Sequence, residues 1–169
     1  MDKDILMRLY ETYSREIWLY LFSLSHSGSL ADDLMQETFL KAILSLSDTH
    51  TNMRAWLYRV ARNLYLNDRK KKGREELSNE PVLFSGESIK EDEILEQLIQ
   101  NERKQNLYWA LGQLDVRKRE ILFLQYFSGL NQKQIASTLQ ISPENVRIIA
   151  HRAKKELKKI MEENGYDIS

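Results

Sequence analysis

Helix-period spacing of apolar residues is the feature that most limits what this 169-residue chain can fold into. Near the N-terminus Ile5, Leu6, Leu9, Tyr13, Ile17, Tyr20, Leu21 and Leu24 recur mostly at three- and four-residue steps, so a helix over 5–24 gathers them on one face. Ser25, His26, Ser27, Gly28 and Ser29 end that pattern. Further helices are expected over 30–46 and over 53–72, the latter carrying Trp56, Leu57, Val60, Ala61, Leu64 and Leu66. Four more follow over 94–114, 115–127 with Asp115 as N-cap, 132–139 and 142–163. Six glycines and two prolines are few enough to leave these periods intact, and the abundant Leu, Lys, Glu, Arg and Gln favour helix.

Between the helical stretches, residues 73–93 contain Pro81, Gly86, three serines and seven acids, and Val82, Leu83 and Phe84 show no sustained period. This composition is that of a linker. The expected fold is therefore all-α: two small helical domains, at 1–73 and 94–169, joined by a flexible acidic linker at 74–93.

The chain has 25 Lys+Arg and 25 Asp+Glu, a formal charge of zero that hides an ordered pattern. Residues 1–48 carry four basic and eight acidic groups, whereas 49–74 carry eight basic groups against Asp68 alone. Residues 75–102 hold Lys90 against nine acids, and 103–163 hold twelve basic against six acidic groups. Charge runs are often only solvated faces. Two positive segments on two expected helices point instead to a polyanionic partner, because a local field acts independently of the total.

The sequence also excludes chemistry. Without cysteine it can build no disulfide framework, zinc knuckle, iron–sulfur cluster or thiol nucleophile, which fits a cytoplasmic location. No stretch approaches the ~18 apolar residues that span a bilayer, and the first residues show no basic segment followed by an apolar run, so a protein without membrane span is expected. His26, His50 and His151 are far apart in sequence with no metal-ligand spacing. Neither enzymatic activity, metal nor cofactor is expected.

The most specific signal lies in residues 131–153. Ile135, Ala136, Leu139, Ile141, Val146 and Ile149 stand where a helix-turn-helix requires apolar groups, with small Ala136 at the closest approach of the two helices. Ser142 and Pro143 supply an N-cap hydroxyl followed by proline at the first helical position, where a missing N–H is harmless. A recognition helix started this way presents Glu144, Asn145, Arg147 and Ile148, with His151 one turn on, to a major groove. Arginine can bond guanine with two hydrogen bonds, and glutamate can accept from the cytosine amino group. Arg152, Lys154, Lys155, Lys158 and Lys159 continue as a cationic ridge suited to phosphates. A helical hairpin would use the same six apolar positions as core. The joint occurrence of Ala136, the Ser-Pro start and the basic exposed face favours DNA. Gln140 departs from the glycine that commonly makes this turn, and is expected to adopt a left-handed conformation at some cost.

Two further blocks separate the options among DNA-binding proteins. They are D-D-L-M-Q-E-T-F-L-K-A at 32–42 and R-A-W-L-Y-R-V-A-R-N-L at 54–64, the latter followed by Arg69, Lys70, Lys71 and Lys72. Together with the helix-turn-helix they resemble bacterial sigma factors of the sigma-70 family, in particular the extracytoplasmic-function group, which retains the second and fourth sigma domains joined by a linker. The resemblance spans 5–73 and 94–160.

The resemblance implies a role for each block. The helix bearing D-D-L-x-Q-E-T-F would dock on a coiled coil of the largest catalytic subunit of core RNA polymerase through Asp33, Gln36 and Glu37, while Leu34, Phe39 and Leu40 serve as core. A metal held by Asp32, Asp33 and Glu37 is the alternative for those carboxylates, but no further ligand cluster accompanies them. The third helix would meet −10 promoter DNA during strand separation, with Tyr58 and Asn63 on the non-template strand and Arg59, Arg62, Arg69, Lys70, Lys71 and Lys72 on phosphates. An extruded base would enter the loop at 48–53, and Trp56 is expected as core. Asn67 stands where many members have aspartate. At −35 DNA, Arg147, Ile148 and His151 are the expected base readers, supported by Glu144, Asn145, Arg152 and Lys154. Ile149 replaces the group's frequent arginine and is similar to housekeeping sigma factors. The acidic linker would thread the RNA exit path, and an anti-sigma factor is a partner that the family admits. The competing reading is a helix-turn-helix regulator acting without polymerase, which would have no need of the two N-terminal blocks.

Overall fold

The computed structural model describes residues 3–45, 52–73 and 102–165. Within them the chain forms seven helices and no strand: α1 Lys3–Ser25, α2 Gly28–Ser45, α3 Met53–Lys71, α4 Glu102–Gln113, α5 Val116–Tyr126, α6 Gln132–Leu139 and α7 Pro143–Glu163. The all-α expectation holds. The linker at 74–93, most of the loop at 48–53 and the start of the helix expected from 94 lie outside the described residues.

Local chemistry sets the helix ends. The Ser27 hydroxyl accepts from the Leu30 N–H at 3.1 Å, so α2 starts at Gly28 rather than at Leu30. Asn52 caps α3 by accepting from the Ala55 N–H at 3.1 Å, and Asp115 caps α5 by accepting from the Lys118 N–H at 2.9 Å. Gly73, at φ +68°, turns the chain out of α3 where a side chain would be strained.

Helices α1, α2 and α3 pack on one another, and α5, α6 and α7 make a second group with α4 resting on α7. Helix α1 also packs on α5, and α3 on α6, so one apolar cluster runs from Leu9 through Leu21 and Tyr58 to Ile121, Ile135 and Val146. Fully buried Ile17, Leu21 and Leu57 each contribute ~1.5–3 kcal/mol relative to exposure.

Contact on several sides changes which residues of α1 are core. Trp18 and Phe22, outside the expected face, are buried and stack with ring centroids 5.1 Å apart, and the Trp18 indole N–H donates to Asp32 Oδ1 at 2.7 Å. Ile5, near the start of α1, and Leu66 remain exposed. The expectation for α2 is corrected at one position: Leu34 and Phe39 are core, but Leu40 is 52% exposed. One residue beyond Phe39 is about 100° around a helix, which turns Leu40 away from α1.

Candidate nucleic-acid interface

The helix-turn-helix is assembled from local bonds that the sequence specifies. Asn131 and Gln134 form a reciprocal capping box, with the Gln134 N–H donating to Asn131 Oδ1 at 2.8 Å and the Asn131 N–H donating to Gln134 Oε1 at 2.9 Å. Gln140 takes the left-handed conformation, φ 58° and ψ 43°, and the Ile141 N–H reaches back to the Ala136 carbonyl at 3.0 Å. A Schellman-type turn thus closes without glycine. Ser142 then accepts from the Asn145 N–H at 3.1 Å, and Pro143 opens α7.

Val146, Ala150 and Ala153 face the core from α7, with Ile149 partly buried. The opposite face presents Glu144, Asn145, Arg147, Ile148, His151 and Arg152, all exposed. Ile148 is 41% exposed, an apolar group on a polar face that could meet a thymine methyl. Lys154 sits over the Tyr126 ring with Nζ 5.6 Å from its centroid, so α5 steers one cation of the ridge. Lys118 of α5 pairs with Glu156 of α7, which ties the two helices together.

Helix α3 divides its residues between support and exposure. Tyr58 is fully buried: its hydroxyl donates to Glu16 Oε1 at 3.0 Å and its ring meets Tyr20 edge-on at 5.0 Å. Burial and then the Glu16 charge push its phenol far above the usual range. In this arrangement Tyr58 holds α3 on α1 and offers no face to a base. Arg54 completes the support, donating from Nε to Glu16 Oε1 at 3.0 Å and lying over the Tyr13 ring at 5.2 Å. Asn63, Arg69, Lys70, Lys71 and Lys72 are exposed. Trp56, expected as core, is half-buried in a cleft of about 220 Å³ shared with Arg59, Lys133, Gln134 and Ser137.

On α2, Asp33, Gln36 and Glu37 are exposed as expected. Their stripe continues through Leu40 and Leu44, the latter 77% exposed, at the next three- and four-residue steps. Asp32 is committed elsewhere, to Trp18.

Two expected DNA residues are already engaged between the helix groups. Arg62 Nε lies 2.9 Å from Glu120 Oε2, and Arg59 Nη2 donates to the Ser137 hydroxyl at 2.5 Å. Glu120, 4% exposed, also accepts from the Tyr20 hydroxyl at 2.5 Å. Its neighbour Arg119, 3% exposed, donates from Nε to the Ser23 carbonyl at 2.8 Å and from Nη1 to the Leu114 carbonyl at 2.9 Å. Burial draws that guanidinium down to about 10, with Tyr65 and Asp115 opposing. Sequence reasoning missed this pair. The one trace is an adjacent arginine and glutamate leading into the apolar run Ile121 to Leu124.

Comparison with known proteins decides the family. The model of sigma-70 region 2 matches residues 9–75 and that of sigma-70 region 4 matches 104–157. The RNA polymerase sigma factor YlaC of Bacillus subtilis is 32% identical over 94% of this chain and 93% of the relative. The ECF RNA polymerase sigma factor SigM of the same organism is 30% identical over 89% and 91%. The chain belongs to the extracytoplasmic-function sigma factors. SigL of Mycobacterium tuberculosis, also named an ECF sigma factor, is 30% identical over 97% of this sigma factor and 93% of the relative. Among solved structures, the sigma factor RpoE of Bartonella quintana, in complex with the anti-sigma factor NepR, matches with TM-score 0.70 at 21% identity over 95% of this chain and 98% of that one. CnrH in complex with the cytosolic domain of CnrY matches with TM-score 0.62 at 22% identity over 95% and 90%. Both agree with the fold. As a sigma factor the protein directs transcription initiation, and the reading as a regulator acting without polymerase falls away.

Proposed function

We propose that this sigma factor docks on core RNA polymerase through the α2 stripe, reads −35 DNA with the first turns of α7 and meets −10 DNA with α3. The observation that carries the reading is the start of α7, where a capped terminus aims Glu144, Asn145, Arg147, Ile148 and His151 outward on one exposed face. Arg152 and Lys154 extend it toward phosphates, as do Arg59, Arg62, Arg69 and Lys70 on α3, where Asn63 meets an unpaired base. The polar residues Asp33, Gln36 and Glu37 are joined by Leu40 and Leu44, which add apolar area to the polymerase contact. Tyr58 serves by holding α3, and meets a base only where the helices part.

The domain assignment goes with this reading: residues 1–73 for polymerase and −10 DNA, 74–93 as linker, and 94–169 for −35 DNA. The partners are core polymerase, promoter DNA and, as the family admits, an anti-sigma factor. The sigma factor makes and breaks no bond itself. It works in the cytoplasm beside the polymerase, and no helix among the described residues is long and apolar enough to cross a membrane.

The test is promoter-directed transcription with purified core polymerase and genomic fragments. RNA synthesis from a defined start supports the reading, and absence of both core binding and specific initiation overturns it. Within that assay, Arg147→Ala weakens binding at one −35 base pair by ~1–3 kcal/mol, whereas a loss spread over all sequences assigns Arg147 to phosphate.

A further inference from the structure

We propose that Glu120 is a latch that closes the two helix groups on each other in the free sigma factor and withholds Arg62 from promoter DNA. The proposal rests on the assignment of α3 to −10 DNA, and on geometry that is independent of that assignment.

A carboxylate on α5 lies almost wholly out of water, and both of its partners come from the other group: Arg62 on α3 at 2.9 Å and Tyr20 on α1 at 2.5 Å. Such a charge is tolerable only while both partners stay in place, so the position of α5 is set by where Arg62 and Tyr20 stand. Arg119, the preceding residue, adds a bond to the Ser23 carbonyl near the end of α1, and Phe123 on the next turn of α5 meets the Tyr20 ring at 5.7 Å. Farther along the seam Arg59 is held by Ser137 of α6. Closing therefore uses the Arg62 guanidinium that a DNA strand would use, and for that group the two engagements exclude each other, while Arg59 stays exposed beside Ser137.

The latch is also built to open. Desolvation of Glu120 and Arg62 offsets much of their attraction, which keeps the closed state only modestly favoured. The cleft of about 220 Å³ beside Arg59 shows that the seam between α3 and α6 is incompletely filled. Any ligand that binds only the open form, a DNA strand or core polymerase, then shifts the population toward it, and apparent DNA affinity falls by the fraction that is open.

The sigma factor contains no cysteine, so Glu11→Cys and Lys158→Cys on exposed positions of α1 and α7 accept a spin-label pair without background. Distances are measured in the full chain with and without Glu120→Gln, and separately with and without Tyr20→Phe. Binding of a fluorescent single-stranded −10 oligonucleotide is measured on the same proteins without labels. The expected result is one narrow distance for the unmodified sequence and a second, longer population in both variants, the open fraction rising about tenfold when one buried partner is broken. DNA affinity rises in parallel. A rise in Tyr20→Phe, which leaves the net charge unchanged, separates opening from added positive charge. Unchanged distances in both variants, with helical circular dichroism intact, overturn the latch. If Glu120→Gln does not fold, Tyr20→Phe alone decides. A longer distance with no gain in DNA affinity keeps the latch and refutes the assignment of α3 to −10 DNA.

Discussion

Replacing Glu16 with alanine tests whether α3, the helix assigned to −10 DNA, is held by one carboxylate. Glu16 Oε1 accepts from the Tyr58 hydroxyl at 3.0 Å and from Arg54 Nε at 3.0 Å, and Oε2 accepts from Arg54 Nη2 at 3.3 Å. The substitution leaves a hydroxyl of a fully buried tyrosine without its acceptor, at ~1–3 kcal/mol. The Arg54 pair adds less: the arginine side chain is 39% exposed, so solvent holds its contribution to ~0.5–1 kcal/mol. A total of ~1.5–4 kcal/mol lowers the Tm by roughly 3–16 °C at this chain length. Calorimetry or circular dichroism measures it. The discriminating step is a double-mutant cycle with Tyr58→Phe, which removes the donor. In that background Glu16→Ala should cost only the ion-pair share, leaving a coupling of ~1–2 kcal/mol. An equal cost in both backgrounds would refute the hydroxyl argument and assign the effect to the surface pair or to lost packing.

Three further outcomes follow from particular residues. Ser142→Ala removes the hydroxyl that caps α7 and costs ~1 kcal/mol, read as a lower Tm together with weaker binding of a −35 duplex. Burial, and then the Arg119 charge, lower the His26 pKa from 6.5 to about 3. The unfolded chain therefore takes up the proton first, and the His26 contribution to stability is lost as pH falls from about 6.5 toward 3, by up to ~1.4 kcal/mol per pH unit. His26→Asn, which tolerates the left-handed backbone at φ 54°, should flatten that slope in urea unfolding at pH 7 and pH 5. An unchanged slope would show that other groups produce it. Leu44→Ser, at an exposed position, should leave the Tm unchanged while weakening core polymerase binding about tenfold in a competition assay, since one buried leucine contributes ~1.5–3 kcal/mol.

What could be read from the sequence was local. Helix-period spacing gave the helices to within two residues at their described ends, and Asp115 and Ser142 marked two starts because an N-cap is a property of four consecutive residues. The turn at Gln140 was legible for the same reason. Trp18 and Phe22 were not, because a single amphipathic face presumes one neighbour while α1 has three. Leu40 was misplaced because apolar identity alone does not say whether a residue faces a core or a partner. The Tyr20–Glu120 bond joins residues 100 apart, and no periodicity or cap encodes such a pairing. At the seam, Glu120 therefore carried no signal of its own, and Arg62 was read only as a phosphate contact.

The apolar cluster that runs through both helix groups bears on how so small a protein stays folded. A unit of 50 to 70 residues buries only ~60% of the surface its unfolded chain exposes, and is marginal by itself. Tyr20, fully buried, draws its cover from both groups, touching Tyr58 on one side and Phe123 on the other. When the groups separate, each loses a wall of its own interior and shows aromatic surface to water. The polymerase that receives the open sigma factor is then more than a platform: its surface must stand in for the missing wall, as a chaperone does for an incomplete fold.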